Sequence, residues 1–146
     1  MKGLRRHILV AMDFHPTSLE ALDKTINLAY FVRGHVVLLH VIETGYFLPD
    51  GLRLNRKQLN HLRVEVTEKL EQIAGKHAGE KGIDITTRVE EGKVFEKVLE
   101  VANDIKARVI VIGRNAKGRK HRDSLGSNAY KILNHSNIPV VCYVEK

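Results

Sequence analysis

Short apolar runs recur along the chain, and between them apolar residues return every three or four positions. His7 to Met12 is nearly unbroken and ends at Asp13, the pattern of a strand covered on both faces rather than one alternating between core and water. After Phe14-His15-Pro16, Thr17 or Ser18 is placed to cap a helix that carries Leu19, Leu22, Ile26 and Ala29 and ends near Gly34. Val36 to Ile42 predicts a second strand, and Glu43 to Asn55, with Gly45, Pro49, Asp50 and Gly51, a turn-rich loop. Leu59, Leu62, Val66, Leu70, Ile73 and His77 form an apolar stripe, predicting an amphipathic helix from roughly Arg56 to Gly79. Ile83 to Val89 reads as a third strand. Glu90-Glu91-Gly92 then leads into a helix with Val94, Val98, Val101 or Ala102, and Ile105 on one face. Val109 to Ile112 is apolar and stops at Gly113, a loop runs to Gly126, Ser127 opens a short helix through Asn134, and Pro139 to Val144 is the last strand.

Strands alternating with helices in this way predict a single α/β domain over residues 1–146, with a mostly parallel sheet and helices on both faces. Such sheets take ligands beyond the carboxyl ends of the strands where the winding reverses. Asp13, the end of the second strand near Val41, and Gly113 are therefore candidate site residues.

A length of 146 residues suits one domain, and 43% hydrophobic with 28% charged residues excludes a disordered or fibrous chain. The single cysteine, Cys142, rules out an internal disulfide scaffold and reads as a small core residue. No export signal or membrane-length apolar run is visible, so a cytoplasmic protein is expected. Lys and Arg total 24 against 17 for Asp and Glu, and the net charge of +7 favours an anionic partner. Arg114, Lys117, Arg119, Lys120 and Arg122 concentrate that charge just before Asp123. The basic stretch has neither aromatic stacking residues nor a recognised reading motif, which argues against nucleic acid as the partner.

The loop after the fourth strand reads Gly113-Arg114-Asn115-Ala116, nine residues from Lys117 to Leu125, then Gly126-Ser127-Asn128 at a helix start. A phosphate fits there: glycine admits close backbone approach, and the first amides of a helix are unpaired donors at the positive end of its dipole. Ser127 can cap the helix and present its hydroxyl to the same phosphate. The plainer alternative makes Gly113 a strand end, Gly126 a turn, Ser127 a cap, Asp13 a helix cap or a partner of the loop backbone, and the basic cluster a solvated loop. His121-Arg122-Asp123, four intervening residues, then Asn128 matches a protein-kinase catalytic string, but the chain lacks the other kinase signatures and is too short. The 8 histidines include no pair at metal-ligand spacing with a second cluster, so no metal site is expected.

This spacing of glycines, with Ile8-Leu9-Val10-Ala11-Met12-Asp13, His40-Val41, Gly92, Val109 to Gly113 and Pro139-Val140-Val141, resembles the universal stress protein family over essentially the whole chain. The resemblance implies a doubly wound, Rossmann-like five-stranded parallel sheet of order 3-2-1-4-5. It implies ATP, or AMP or ADP, with adenine near Ala11, Asp13 and the backbone of Val41. Ribose and phosphates would lie against Gly113, Arg114, Ala116, Gly126, Ser127 and Asn128, with Mg2+ carried on the phosphates. It also implies a homodimer through the last strand, Val140 to Val144, and a regulatory, largely non-catalytic role with at most slow ATP hydrolysis. One position departs from the pattern: the second glycine is Ala116. Where positive φ is needed, its methyl costs roughly 1 kcal/mol, about fivefold in affinity. That departure keeps a second reading open, a stress-response interaction module that binds no nucleotide and docks a protein or other polyanion on the basic loop.

Overall fold

The computed structural model describes residues 6–44, 53–114 and 127–144. The chain alternates β1 (Arg6–Ala11), α1 (Pro16–Val32), β2 (Gly34–Glu43), α2 (Arg56–Lys81), β3 (Ile85–Gly92), α3 (Val94–Asp104), β4 (Val109–Arg114), α4 (Ser127–His135) and β5 (Val140–Val144). The strands make one sheet, in the order β3-β2-β1-β4-β5 and parallel throughout, the α/β arrangement expected above.

Strand alternation divides the core into two layers. Ile8 and Val10 of β1, Val36 and Leu38 of β2 and Val111 of β4 pack with Leu22, Ile26, Leu59, Val66 and Leu70 of α1 and α2. Leu9, Val37, Leu39, Val41, Ile110 and Ile112 point the other way, onto Val98, Val101 and Ala102 of α3 and Ile132 of α4. Each fully buried leucine or isoleucine here stabilises the fold by roughly 1.5–3 kcal/mol relative to exposure. Central strands buried on both faces therefore read as continuous apolar runs, as β1 and β2 do.

Several boundaries differ from the expected ones. Thr17 and Ser18 are not caps: both are buried inside α1, and His15 occupies the cap position without a side-chain cap bond. Pro16 supplies the reason, since its fixed φ suits the first helical position and starts the helix early. α1 ends near Gly34, as expected, though the left-handed residue is not the glycine. Arg33 takes the left-handed conformation at φ 53 and ψ 43, its N–H bonding Ala29 O, and Gly34 opens β2. A Cβ at Gly34 would lie 3.0 Å from Ile8 Cδ1 and 3.2 Å from Arg6 O, so close packing against β1 is what that glycine serves.

Asn55, expected in a loop, caps α2: its Oδ1 accepts from Gln58 N at 2.8 Å while Gln58 Oε1 accepts from Asn55 N at 2.9 Å. β3 runs on through Glu90, Glu91 and Gly92, which pair with Val41, Ile42 and Glu43. The Glu91 carboxylate is held by Arg56 and Arg63 at 2.9 and 3.0 Å, and that pairing lets an edge strand carry acidic residues. β4 likewise continues past Ile112, with Gly113 opposite Tyr143 and Arg114 opposite Val144. The turn residues Gly45, Pro49, Asp50 and Gly51 lie outside the described residues.

Candidate functional site

β1 is short and β2 long, so a crevice opens past Ala11, where the chain leaves the sheet for α1. It is a cavity of about 640 Å³, within the usual range for small-molecule sites. Ala11, Leu39, Val41 and Ile112 form its apolar floor, with Val98 and Ile132 from α3 and α4.

The polar groups around that floor follow from strand parity. In a parallel strand, alternate residues turn their peptide groups to opposite neighbours. Even-numbered residues of β2 face β3, as Val36 N to Asp84 O and Thr44 N to Gly92 O show, whereas Leu39 O faces β1 and accepts from Met12 N at 2.7 Å. Val41 shares the parity of Leu39 but lies beyond the last paired residue of β1, so its N–H and C=O are directed to the crevice. The Met12 carbonyl accepts instead from His40 Nδ1, at 2.6 Å. A carbonyl only accepts, so Nδ1 carries the imidazole proton. Burial lowers the His40 pKa below its ordinary value, opposed by the Met12 bond and the Asp13 charge and reinforced by Lys69.

Asp13 sits exposed at the crevice rim, and its Oδ1 accepts from His15 N at 2.9 Å and lies 2.6 Å from Ser18 Oγ. This carboxylate therefore organises the start of α1, the plainer role weighed for it, while also lining the cavity. Gly113 is extended strand, and a Cβ there would fall 2.9 Å from Ser18 Cα, Ser18 N and Thr17 C. Its bareness thus serves the approach of α1, a reason distinct from the close oxyanion approach expected of it.

Arg114 belongs to β4 rather than to a basic loop, and it is only 8% exposed. Its charge pulls down the pKa of Cys142, but burial dominates and leaves that thiol above its ordinary value, in keeping with a small core residue. Ser127 is the first described residue of α4. Asn128 follows, its Nδ2 lying 3.5 Å from Glu43 Oε1.

Of the residues singled out from the sequence, Ala11, Asp13, Val41, Gly113, Arg114, Ser127 and Asn128 line this one cavity. Ala116 and Gly126 lie outside the described residues, as do Lys117, Arg119, Lys120 and Arg122. His40 and Glu43 line the cavity too and were missed. The available signal was a polar residue at each end of His40-Val41-Ile42-Glu43, where a buried strand reaches its carboxyl end. Among the described residues, no group of three or more His, Cys, Asp or Glu is placed to hold a metal, and no helix is long and apolar enough to cross a membrane.

Sheet order, winding and crevice define a Rossmann-like α/β protein with a ligand-sized hollow at the carboxyl ends of its central strands. The model of the universal stress protein family matches residues 4–143, and the chain belongs to that family. Universal stress protein G of Shigella flexneri is 33% identical over 144 residues, covering 90% of this chain and 95% of that protein. Among solved structures, the hypothetical protein MJ0577 superposes with a TM-score of 0.79 at 23% identity, covering 99% of both chains. A universal stress protein of Archaeoglobus fulgidus in complex with dAMP gives 0.69 at 21% identity over 96% of this chain and 98% of that one. Another universal stress protein, in complex with cAMP, gives 0.67 at 19% identity over 97% and 98%. At these identities the likeness to the solved structures is one of fold.

Proposed function

We propose that the protein binds an adenine nucleotide, ATP or its AMP and ADP relatives, in the cavity between β2, β4 and α4, and that occupancy rather than turnover is its output in the stress response. The carrying observation is the main-chain N–H and C=O of Val41, turned to the crevice beside an apolar floor. One donor and one acceptor on neighbouring atoms match the edge of adenine, and apolar walls suit its faces. The helix N-terminus at Ser127 and Asn128 stands at the same cavity, where a phosphate is favoured by unpaired amides and the helix dipole. The fold-mates in complex with dAMP and cAMP support the choice of an adenine ligand. Arg114 supplies a buried cation, and Mg2+ would travel on the phosphates of ATP. The same reading includes a homodimer through β5 and at most slow hydrolysis.

Calorimetry with ATP and magnesium, on the natural chain and on Ala116→Gly, tests the binding. Heat from both, tighter for Ala116→Gly by about fivefold, is expected from relief of a methyl in a glycine position. Silence from both variants would leave the interaction-module reading in its place.

A further inference from the structure

Resting on the nucleotide reading above, we infer that Glu43 is a specificity-determining residue that grades the ligands of this cavity by their phosphate charge. Glu43 is the last residue of β2 and shares the parity of Val41, whose side chain faces α3 and α4. It lines the cavity, and its carboxylate reaches Asn128 at the start of α4. The first turn of α4 has no acidic residue of its own, so Glu43 brings a negative charge from another element to that helix N-terminus. Among the described residues, the other carboxylate on the cavity, Asp13, is engaged through Oδ1 at the start of α1, and Arg114 is a buried cation.

A phosphate seated against Ser127 and Asn128 comes to rest beside the Glu43 carboxylate. Like charges a few ångströms apart repel, and each added phosphate charge meets the same fixed neighbour. Base and ribose are neutral and feel none of this. Glu43 therefore leaves adenosine untouched, weakens a monophosphate and weakens a triphosphate more; a cation that neutralises the phosphates removes most of the difference. Whatever attraction the basic side chains add, the contribution of Glu43 is read as the change on removing its charge.

The test is calorimetry of the natural chain and Glu43→Gln with adenosine, AMP and ATP in a chelator, and with ATP plus Mg2+. Glutamine keeps the shape and the acceptor toward Asn128. Glu43→Gln is expected to leave adenosine affinity unchanged, tighten AMP about threefold and ATP about tenfold, with the ATP gain shrinking in Mg2+. A uniform loss across all three ligands would mean that the carboxylate accepts ribose hydroxyls, and no change would mean that it is a bystander. Either result overturns the inference while leaving nucleotide binding in place. Failure of the natural chain to bind any of the three overturns the nucleotide reading and this inference together.

Discussion

His40 carries two tasks through one ring. Its Nδ1–H takes the Met12 carbonyl, and its face lies against Phe14, whose centroid is 4.8 Å away. Phe14 has a left-handed backbone at φ 64, a conformation a bulky residue adopts only when its surroundings enforce it. The bond from β2 thus turns the chain out of β1 and frees the Val41 peptide for the crevice. Because burial holds the His40 pKa below 6.5 in the folded protein, the unfolded chain binds the extra proton first as the pH falls. The stability this neutral histidine contributes is fully present above 6.5 and is lost between 6.5 and its lowered folded value. We expect the stability gap between the natural chain and His40→Gln, measured by urea unfolding, to narrow as the pH is taken from about 7 to about 5. A gap independent of pH would show that His40 gains its proton equally readily in both states.

Where α1 begins over the end of β4, two elements meet at close quarters. Thr17 and Ser18 are buried there, and Gly113 has no room for a side chain because backbone atoms, which cannot rotate away, occupy the space. Gly113→Ala is expected to destabilise the protein by about 2 kcal/mol, the usual cost of overpacking a rigid contact, and to lower its thermal midpoint. An unchanged midpoint would mean that α1 shifts freely on the sheet. Such a variant also moves the helix start that Asp13 organises, so any ligand affinity lost with it reports packing as well as contact. Similar reasoning separates the two glycines the sequence singles out at element ends. Gly34 looked like a helix stop and Gly113 like a phosphate contact; both sit where one backbone approaches another element. A glycine in a sequence announces absence of a side chain, but only the neighbouring element reveals what the absence admits.

At the scale of the whole molecule, the parallel sheet has two edges, β3 and β5. β3 is acidic and covered by the arginines of α2, whereas β5 presents Val141 and Val144, 38% and 48% exposed. An edge strand with exposed apolar residues invites pairing with a second copy. On the proposed dimer, sedimentation of the natural chain gives twice the 16.5 kDa chain mass at micromolar concentration, and Val141→Lys gives the single chain. A natural chain that sediments alone removes the dimer from the reading without touching the cavity. The fold was legible in the sequence because its central strands are buried on both faces, so that β1 and β2 stand out as apolar runs between helices of 3.6-residue period. The position of the crevice followed from the same alternation, since a reversal of winding leaves a gap beyond the strand ends. What only the tertiary structure decided is which groups face that gap. Strand length and parity turn the Val41 peptide and the Glu43 side chain into it, the His40 ring claims a carbonyl that β2 would otherwise meet, and Arg114 is drawn from the basic stretch into the sheet. Those outcomes depend on where one strand stops relative to its neighbour, a relation between distant residues that no local pattern encodes.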